Sequence, residues 1–190
     1  MRYSRASLRQ ICTQHCKVLL AVCALLLTTL SAPIHAQNTL NEDKAKAVLT
    51  FNFIRYITWP SETSDAQTKN LNLCILGEQG LHNAFKALDG RQIRTHQLNV
   101  INLNMNAGFE NCGLIFFGIR DRRIITQLLD ELYGEPVLSI GELPDFTDRG
   151  GMINLYKEDG KFRFEINLKA SESANLNISA RLLQLARVIE

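Results

Sequence analysis

The sequence predicts an α/β fold: a single domain with a mixed, mostly parallel sheet flanked by helices. Three observations carry this expectation. Between residues 71 and 141, short apolar runs of strand length alternate with helix-period segments, the βα alternation of a parallel sheet. "GLIFFG" (113 to 118) is a nearly continuous apolar run between glycines, as in a strand covered on both faces. "MINLYKEDGKFRFEIN" (152 to 167) alternates with period two about Glu158-Asp159-Gly160, which adds an antiparallel hairpin.

Residues 1 to 36 read as a secretory signal peptide. Arg2, Arg5, Arg9 and Lys17 precede the uncharged block Val18 to Leu30, and "SAPIHA" supplies a small-residue cleavage site ending at Ala36. The apolar block is shorter than the roughly 20 residues a membrane span needs. The expected mature chain, residues 37 to 190, is the size of one domain. The leader holds four of the 21 basic residues and none of the 19 acids, so the mature chain has 17 basic and 19 acidic residues, a formal net charge of −2. That balance gives no reason to expect nucleic acid or an anionic membrane as partner. "RDRR" (120 to 123) is the one basic cluster, read as the solvated start of a helix in preference to a phosphate site.

Three of the five cysteines lie in the leader; Cys74 and Cys112 remain. Two cysteines in an exported chain point to one disulfide. Cys74 lies mid-strand among Leu71, Leu73, Ile75 and Leu76, with no C-x-x-C motif, so a structural bridge is favoured over a redox thiol.

"LNEDKAKAVLTFNFIRYITWP" reads as the first helix, with Asn41 as N-cap and Pro60 as its end. Ala45, Val48, Leu49, Phe53, Tyr56 and Ile57 form one stripe and Ala47, Phe51 and Ile54 a second. A helix apolar on two sides is either sandwiched within its domain or shared with a partner. Strand Leu71–Leu76, helix Leu81–Leu88, strand Leu98–Leu103, strand 113 to 118, helix 119 to 134 and strand 136 to 141 follow. Beyond the hairpin, a short helix ends at Asn175 and a longer one, capped by Asn177 or Ser179, turns Leu182, Leu183, Ala186 and Ile189 inward.

Candidate chemistry is sparse. Gly77 and Gly80 lie where a dinucleotide fold keeps its phosphate loop, but G-x-x-G lacks the third glycine, so a structural βα turn is expected. His82 and His96 belong to no metal motif, and no nucleophile turn occurs, so neither a catalytic set nor a metal nor a cofactor is expected. Glu142, Asp145 and Asp148 crowd the loop "GELPDFTDRGG"; a sugar or calcium site is conceivable there, though lone acids near turns are usually solvated or capping. The Gly150-Gly151 pair suggests positive φ or close backbone approach.

The ordered set "KAKAVLTFNFIRYITWP", "LCILG", "NCGLIFFG", "LSIGELPDFTDRGGMINLY", "GKFRFEINLKAS" and "LNISARLLQLARVIE" resembles the YfiR-like periplasmic family over essentially the whole mature chain. The resemblance implies an exported regulator that binds the periplasmic domain of an inner-membrane diguanylate cyclase, lowers cyclic di-GMP and so limits biofilm. It also implies a homodimer, and an outer-membrane lipoprotein that can sequester it. Cys74 and Cys112 match the family's first cysteine pair; a second pair, which some members place around the loop before Gly-Gly, has no counterpart beyond Cys112.

As a partner surface the pattern suggests Phe51, Ile54 and Arg55 on the first helix and Arg163 to Glu165 on the hairpin, taken as outward-facing, with buried core or dimer contact as the alternative. A second function class is a small-ligand sensor feeding a membrane signalling protein such as a sensor kinase. Its ligand loop is Asp148, Arg149, Gly150 and Gly151.

Overall fold

The computed structural model describes residues 34–60, 69–104 and 108–189. Most of the predicted leader lies outside them. By its contacts the chain divides after Asn38, and the fold below is that of the unit Thr39–Glu190.

In chain order the elements are α1 (Ile34–Ile54), β1 (Ile57–Thr58), β2 (Lys69–Leu76), α2 (Gln79–Lys86), β3 (Gln92–Ile93), β4 (His96–Asn102), β5 (Leu114–Phe117), α3 (Arg122–Glu131), β6 (Leu138–Gly141), β7 (Ile153–Glu158), β8 (Lys161–Asn167), α4 (Leu168–Ser173), β9 (Asn177–Ile178), α5 (Ala180–Leu183) and β10 (Arg187–Ile189). Eight strands form one mixed sheet in the order β10-β8-β7-β6-β5-β2-β4-β3, and β1 pairs with β9 apart from it. From β4 through β7 every neighbouring pair is parallel; β7/β8 is the antiparallel hairpin, and β3/β4 is antiparallel as well. The expected mixed, mostly parallel α/β sheet is the one observed.

Two cores form on its two faces, and the strands' period of two assigns residues between them. Leu71, Leu73 and Ile75 of β2 join Phe53, Ile54, Leu81, Phe85, Leu114, Phe116 and Ile153 on one face. Cys74 and Leu76 join Ile115, Phe117, Ile125, Leu129 and Phe146 on the other. The first face carries α1 and α2, as the ring contacts Phe53–Phe164 and Phe85–Phe116 show, each with centroids 4.8 Å apart. The second carries α3 and the loop after β6.

Cys74 and Cys112 are bonded, with Cα atoms 5.9 Å apart, stapling the middle of β2 to the turn that leads into β5. The Gly77-to-Gly80 turn is structural. A Cβ on Gly77 or on Gly118 would stand 2.8 or 2.1 Å from Leu81 Cδ2, so these glycines make room for the first buried residue of α2.

Three expectations fail locally. α1 begins at Ile34, so Asn41 lies within the helix and does not cap it. α1 ends at Ile54, well before Pro60, with Tyr56 N donating to Phe53 O at 2.8 Å to close the last turn. β-branched Ile57 and Thr58 then pair antiparallel with Ile178 and Asn177, Ile57 fully buried. Pro60 disfavours the helical region at Trp59, whose indole Nε1 donates to Gly113 O at 3.1 Å. At the C-terminus the predicted long helix is the four-residue α5, after which Arg187, Val188 and Ile189 pair in parallel with Glu165, Ile166 and Asn167 as an edge strand. Strand pairing with β8 outweighs the propensity to continue the helix.

Candidate functional site

The loop between β6 and β7 is the most highly organised irregular segment of the second face. Phe146 is its anchor: it is fully buried and its ring lies 5.5 Å from that of Phe117. A Cβ on Gly141 would come within 2.5 Å of the Phe146 ring and one on Gly151 within 2.2 Å, so both glycines exist to admit it. Gly150 has φ +93° and Asp145 has φ +70°, a conformation that short polar Asp tolerates better than most residues. The two roles foreseen for the glycine pair are thus divided, positive φ at Gly150 and close approach at Gly151.

Arg149 is held in place rather than waving in solvent. Its Nη2 donates to Asp145 Oδ2 at 2.8 Å and its Nη1 to Thr126 Oγ1 of α3 at 3.0 Å. The Arg149 hydrogen bond, with Arg122 nearby, holds the Asp145 carboxyl below its ordinary range, and Asp145 in turn raises the guanidinium. Asp121 caps α3, accepting from the backbone N–H groups of Arg123 at 2.9 Å and Ile124 at 3.3 Å. Between α3 and the loop runs an open groove of about 600 Å³, lined by Arg122, Arg123, Thr126, Gln127, Asp130 and Glu131 with Arg149 at its side. The "RDRR" cluster and the "DRGG" loop, read separately in the sequence, therefore meet on one surface. Asp148 and Gly150 do not line this groove.

Beneath the same loop lies a buried polar network. Glu165 of β8 is only 4% exposed and accepts from Thr147 Oγ1 at 2.7 Å, from Asn154 Nδ2 at 3.1 Å and from the Arg187 guanidinium of β10. Burial alone would raise its pKa; the hydrogen bonds from Thr147, Arg187 and Asn154 outweigh burial and hold it below the ordinary carboxylate value. Asn167 Nδ2 donates to Thr147 O at 2.9 Å, so β8 is tied to the loop twice. At the other end of the loop Glu142 pairs with Lys46 of α1 at 2.8 Å, and Asp43 lies 3.2 Å from the same ammonium. Burial works against the Lys46 charge, but Glu142 and Asp43 outweigh it and raise the pKa.

The sequence profile of a family described as YfiR/HmsC-like matches residues 43–187, from α1 into β10. The chain belongs to that family. Its members are regulatory proteins of diguanylate cyclase signalling at the membrane, and the matched span contains every residue of the groove and of the Glu165 network. Among the described residues no helix is long and apolar enough to cross a membrane.

Within this YfiR/HmsC-like chain the residues expected to form a partner surface do not share one. Arg55 is exposed at the end of α1, and Phe51 is half-buried with the Arg91 guanidinium 5.7 Å from its ring centre. Ile54 is not outward: at 2% exposure it belongs to the first-face core, because the sheet covers the second apolar stripe of α1. Arg163 is exposed, its Nε 3.5 Å from Glu158. It lies on the opposite side of β8 from Phe164, and so on the face away from α1. Glu165 shares that face but is covered by the loop, which alternation along β8 could not reveal. The partners Thr147, Asn154 and Arg187 were missed because each is unremarkable in its own segment.

Proposed function

We propose that the mature chain is a periplasmic repressor that binds the periplasmic domain of an inner-membrane diguanylate cyclase, lowers cyclic di-GMP output and restrains biofilm formation. The observation that carries this reading is the family match across the domain, from Asp43 to Arg187. The organised surface of the second face supports it: Arg149 is held by Asp145 and Thr126 in fixed geometry, an arrangement suited to recognition. The predicted leader and the Cys74–Cys112 bridge suit an oxidising compartment outside the cytoplasm. An outer-membrane lipoprotein that sequesters the repressor would complete the switch.

Co-purification of the mature chain with the periplasmic domain of a cognate cyclase, together with cyclic di-GMP levels after gene deletion, tests the reading. Binding and a rise in cyclic di-GMP are expected; no binding and unchanged levels would sink it. The groove beside Arg149 favours a second reading, a small-ligand module feeding a membrane signalling protein. A thermal-shift screen tests that: a ligand at 100-fold its Kd adds about 2.7 kcal/mol of stability.

A further inference from the structure

The second face of the sheet is covered unevenly. α3 and the β6–β7 loop lie over β5 to β7, whereas the start of β2, β4 and β3 turn polar side chains to solvent on that side. The strand register and the period of two align these side chains in rows. Asn70, Gln97 and Gln92 are cross-strand partners in one row, and Asn72 and Asn99 in the next, a step nearer Cys74. Asn72 is half-buried and the other four are exposed. All five are amides. In a chain of which 21% is charged, neither row contains a charge, and asparagine is among the residues that strands disfavour. Neither solubility nor strand propensity accounts for the choice.

The second row is held in a fixed orientation. Asn99 Nδ2 donates to Asn72 Oδ1 at 3.0 Å and Asn72 Nδ2 donates to Asn111 O at 2.6 Å, which leaves Asn99 Oδ1 as a free acceptor. In the first row Gln97 Nε2 donates to Gly90 O at 3.3 Å, leaving its Oε1, and among the described residues Asn70 has no side-chain partner. Beyond the rows Ile101, paired with Cys74, and Phe109 are half-buried on the second-face core and add an apolar strip. Where β2 and β4 begin, a groove of about 410 Å³ opens beside Asn70, Asn72 and Asn111, walled by Trp59, His96 and Pro136, with Glu110 its one carboxylate. We propose that this amide face binds a neutral glycan chain with free vicinal hydroxyls. Each carboxamide offers a donor and an acceptor in one plane, the complement of two adjacent hydroxyls on a sugar ring. Neighbouring strands stand about 4.8 Å apart and alternate residues about 7 Å along a strand, the scale of a single ring. The C–H side of a ring rests on Ile101 and Phe109, and the end of the chain enters the groove. An anion meets no cation in the rows and a cation meets no acid there, so charge complementarity selects an uncharged ligand. Amides already fixed by the Asn99–Asn72–Asn111 relay lose little freedom on binding.

The proposal needs no cyclase, so its failure and that of the repressor reading are separable. The mature chain, labelled with ¹⁵N, is titrated with cellohexaose, a neutral glucan with a vicinal diol on every ring, and with chitohexaose, in which an acetamido group replaces one hydroxyl of each pair. The side-chain amide resonances of Asn70, Gln97 and Asn99 read the rows. The indole N–H of Trp59, the one tryptophan of the chain, reads the groove. Cellohexaose is expected to shift all four saturably, with the same Kd at about 50 mM and about 500 mM salt because no charge takes part. Chitohexaose is expected to bind at least about tenfold more weakly. The N70A/Q97A variant alters only exposed side chains, so circular dichroism is expected to show the wild-type fold, and cellohexaose affinity is expected to fall about tenfold. No saturable shift with cellohexaose, an affinity that collapses with salt, equal affinity for chitohexaose, or binding that survives N70A/Q97A overturns the inference. So does loss of cyclase-domain binding in N70A/Q97A with no glycan bound by the wild type, which would assign the face to a protein partner instead.

Discussion

Replacing Glu165 tests whether the hairpin end is an interaction surface or part of the internal frame. The carboxylate is 4% exposed and receives hydrogen bonds from Thr147 Oγ1 at 2.7 Å and Asn154 Nδ2 at 3.1 Å. Glu165→Ala removes the acceptor from both. Each donor left buried without a partner costs about 1–3 kcal/mol, and Asn154 Oδ1 already lacks one. We expect a loss of about 3 kcal/mol, with Arg187 adding little because its side chain is 65% exposed. In a domain of this size that lowers Tm by about 6–12 °C. Glu165→Gln keeps an acceptor for Thr147 and Asn154, and is expected to cost about 1 kcal/mol. The pH dependence has a definite sign. Because the folded-state pKa is depressed, the carboxylate's contribution is complete above its unfolded value and is lost as pH falls through the folded one. The stability gap between wild type and Gln therefore closes in acid. Urea unfolding at neutral pH and at successively lower pH measures both effects. An Ala variant within about 0.5 kcal/mol of wild type, or a gap that widens in acid, would refute the reasoning.

Other substitutions separate structural from surface roles. Reducing Cys74–Cys112, which closes a separation of 38 residues, should lower unfolding stability by about 4 kcal/mol on the chain-entropy account; an unchanged denaturant midpoint would contradict it. Gly151→Ala, whose Cβ would stand 2.2 Å from the buried Phe146 ring, should cost about 1–3 kcal/mol. Gly150→Ala meets no atom within 4 Å and should cost about 1 kcal/mol through its φ of +93° alone. Shortening Phe146 to Leu should rescue the Gly151 variant and not the Gly150 one, as read by thermal unfolding. Arg163→Ala should leave stability within about 0.5 kcal/mol of wild type, and a drop in cyclase-domain affinity would then place the partner on the exposed side of β8.

Much of this fold is legible in the sequence. Alternation of strand-length and helix-period segments determined the α/β class, because a parallel sheet needs a crossover between neighbours and each crossover helix leaves its own periodicity. The Gly77 turn was legible as structural from its missing third glycine, and the bridge from the two cysteines left after the leader. What local pattern cannot contain is pairing between distant residues. Ile57–Thr58 and Arg187–Ile189 become strands only because Asn177–Ile178 and Glu165–Asn167 are beside them. Periodicity likewise assigns a residue to a face without saying what covers that face: Ile54 and Glu165 have outward-compatible spacing, yet the sheet covers one and the Thr147 loop the other. The meeting of Arg122 and Arg123 with Arg149 across more than 25 residues of chain is of the same kind. The sequence by itself determined the α/β class and the central strands and helices, since their periodicity depends on neighbours within a turn or a strand, and it left two cysteines to form the staple. Only the tertiary structure decided which charged side chains are framework and which face outward, because burial belongs to the assembled layers.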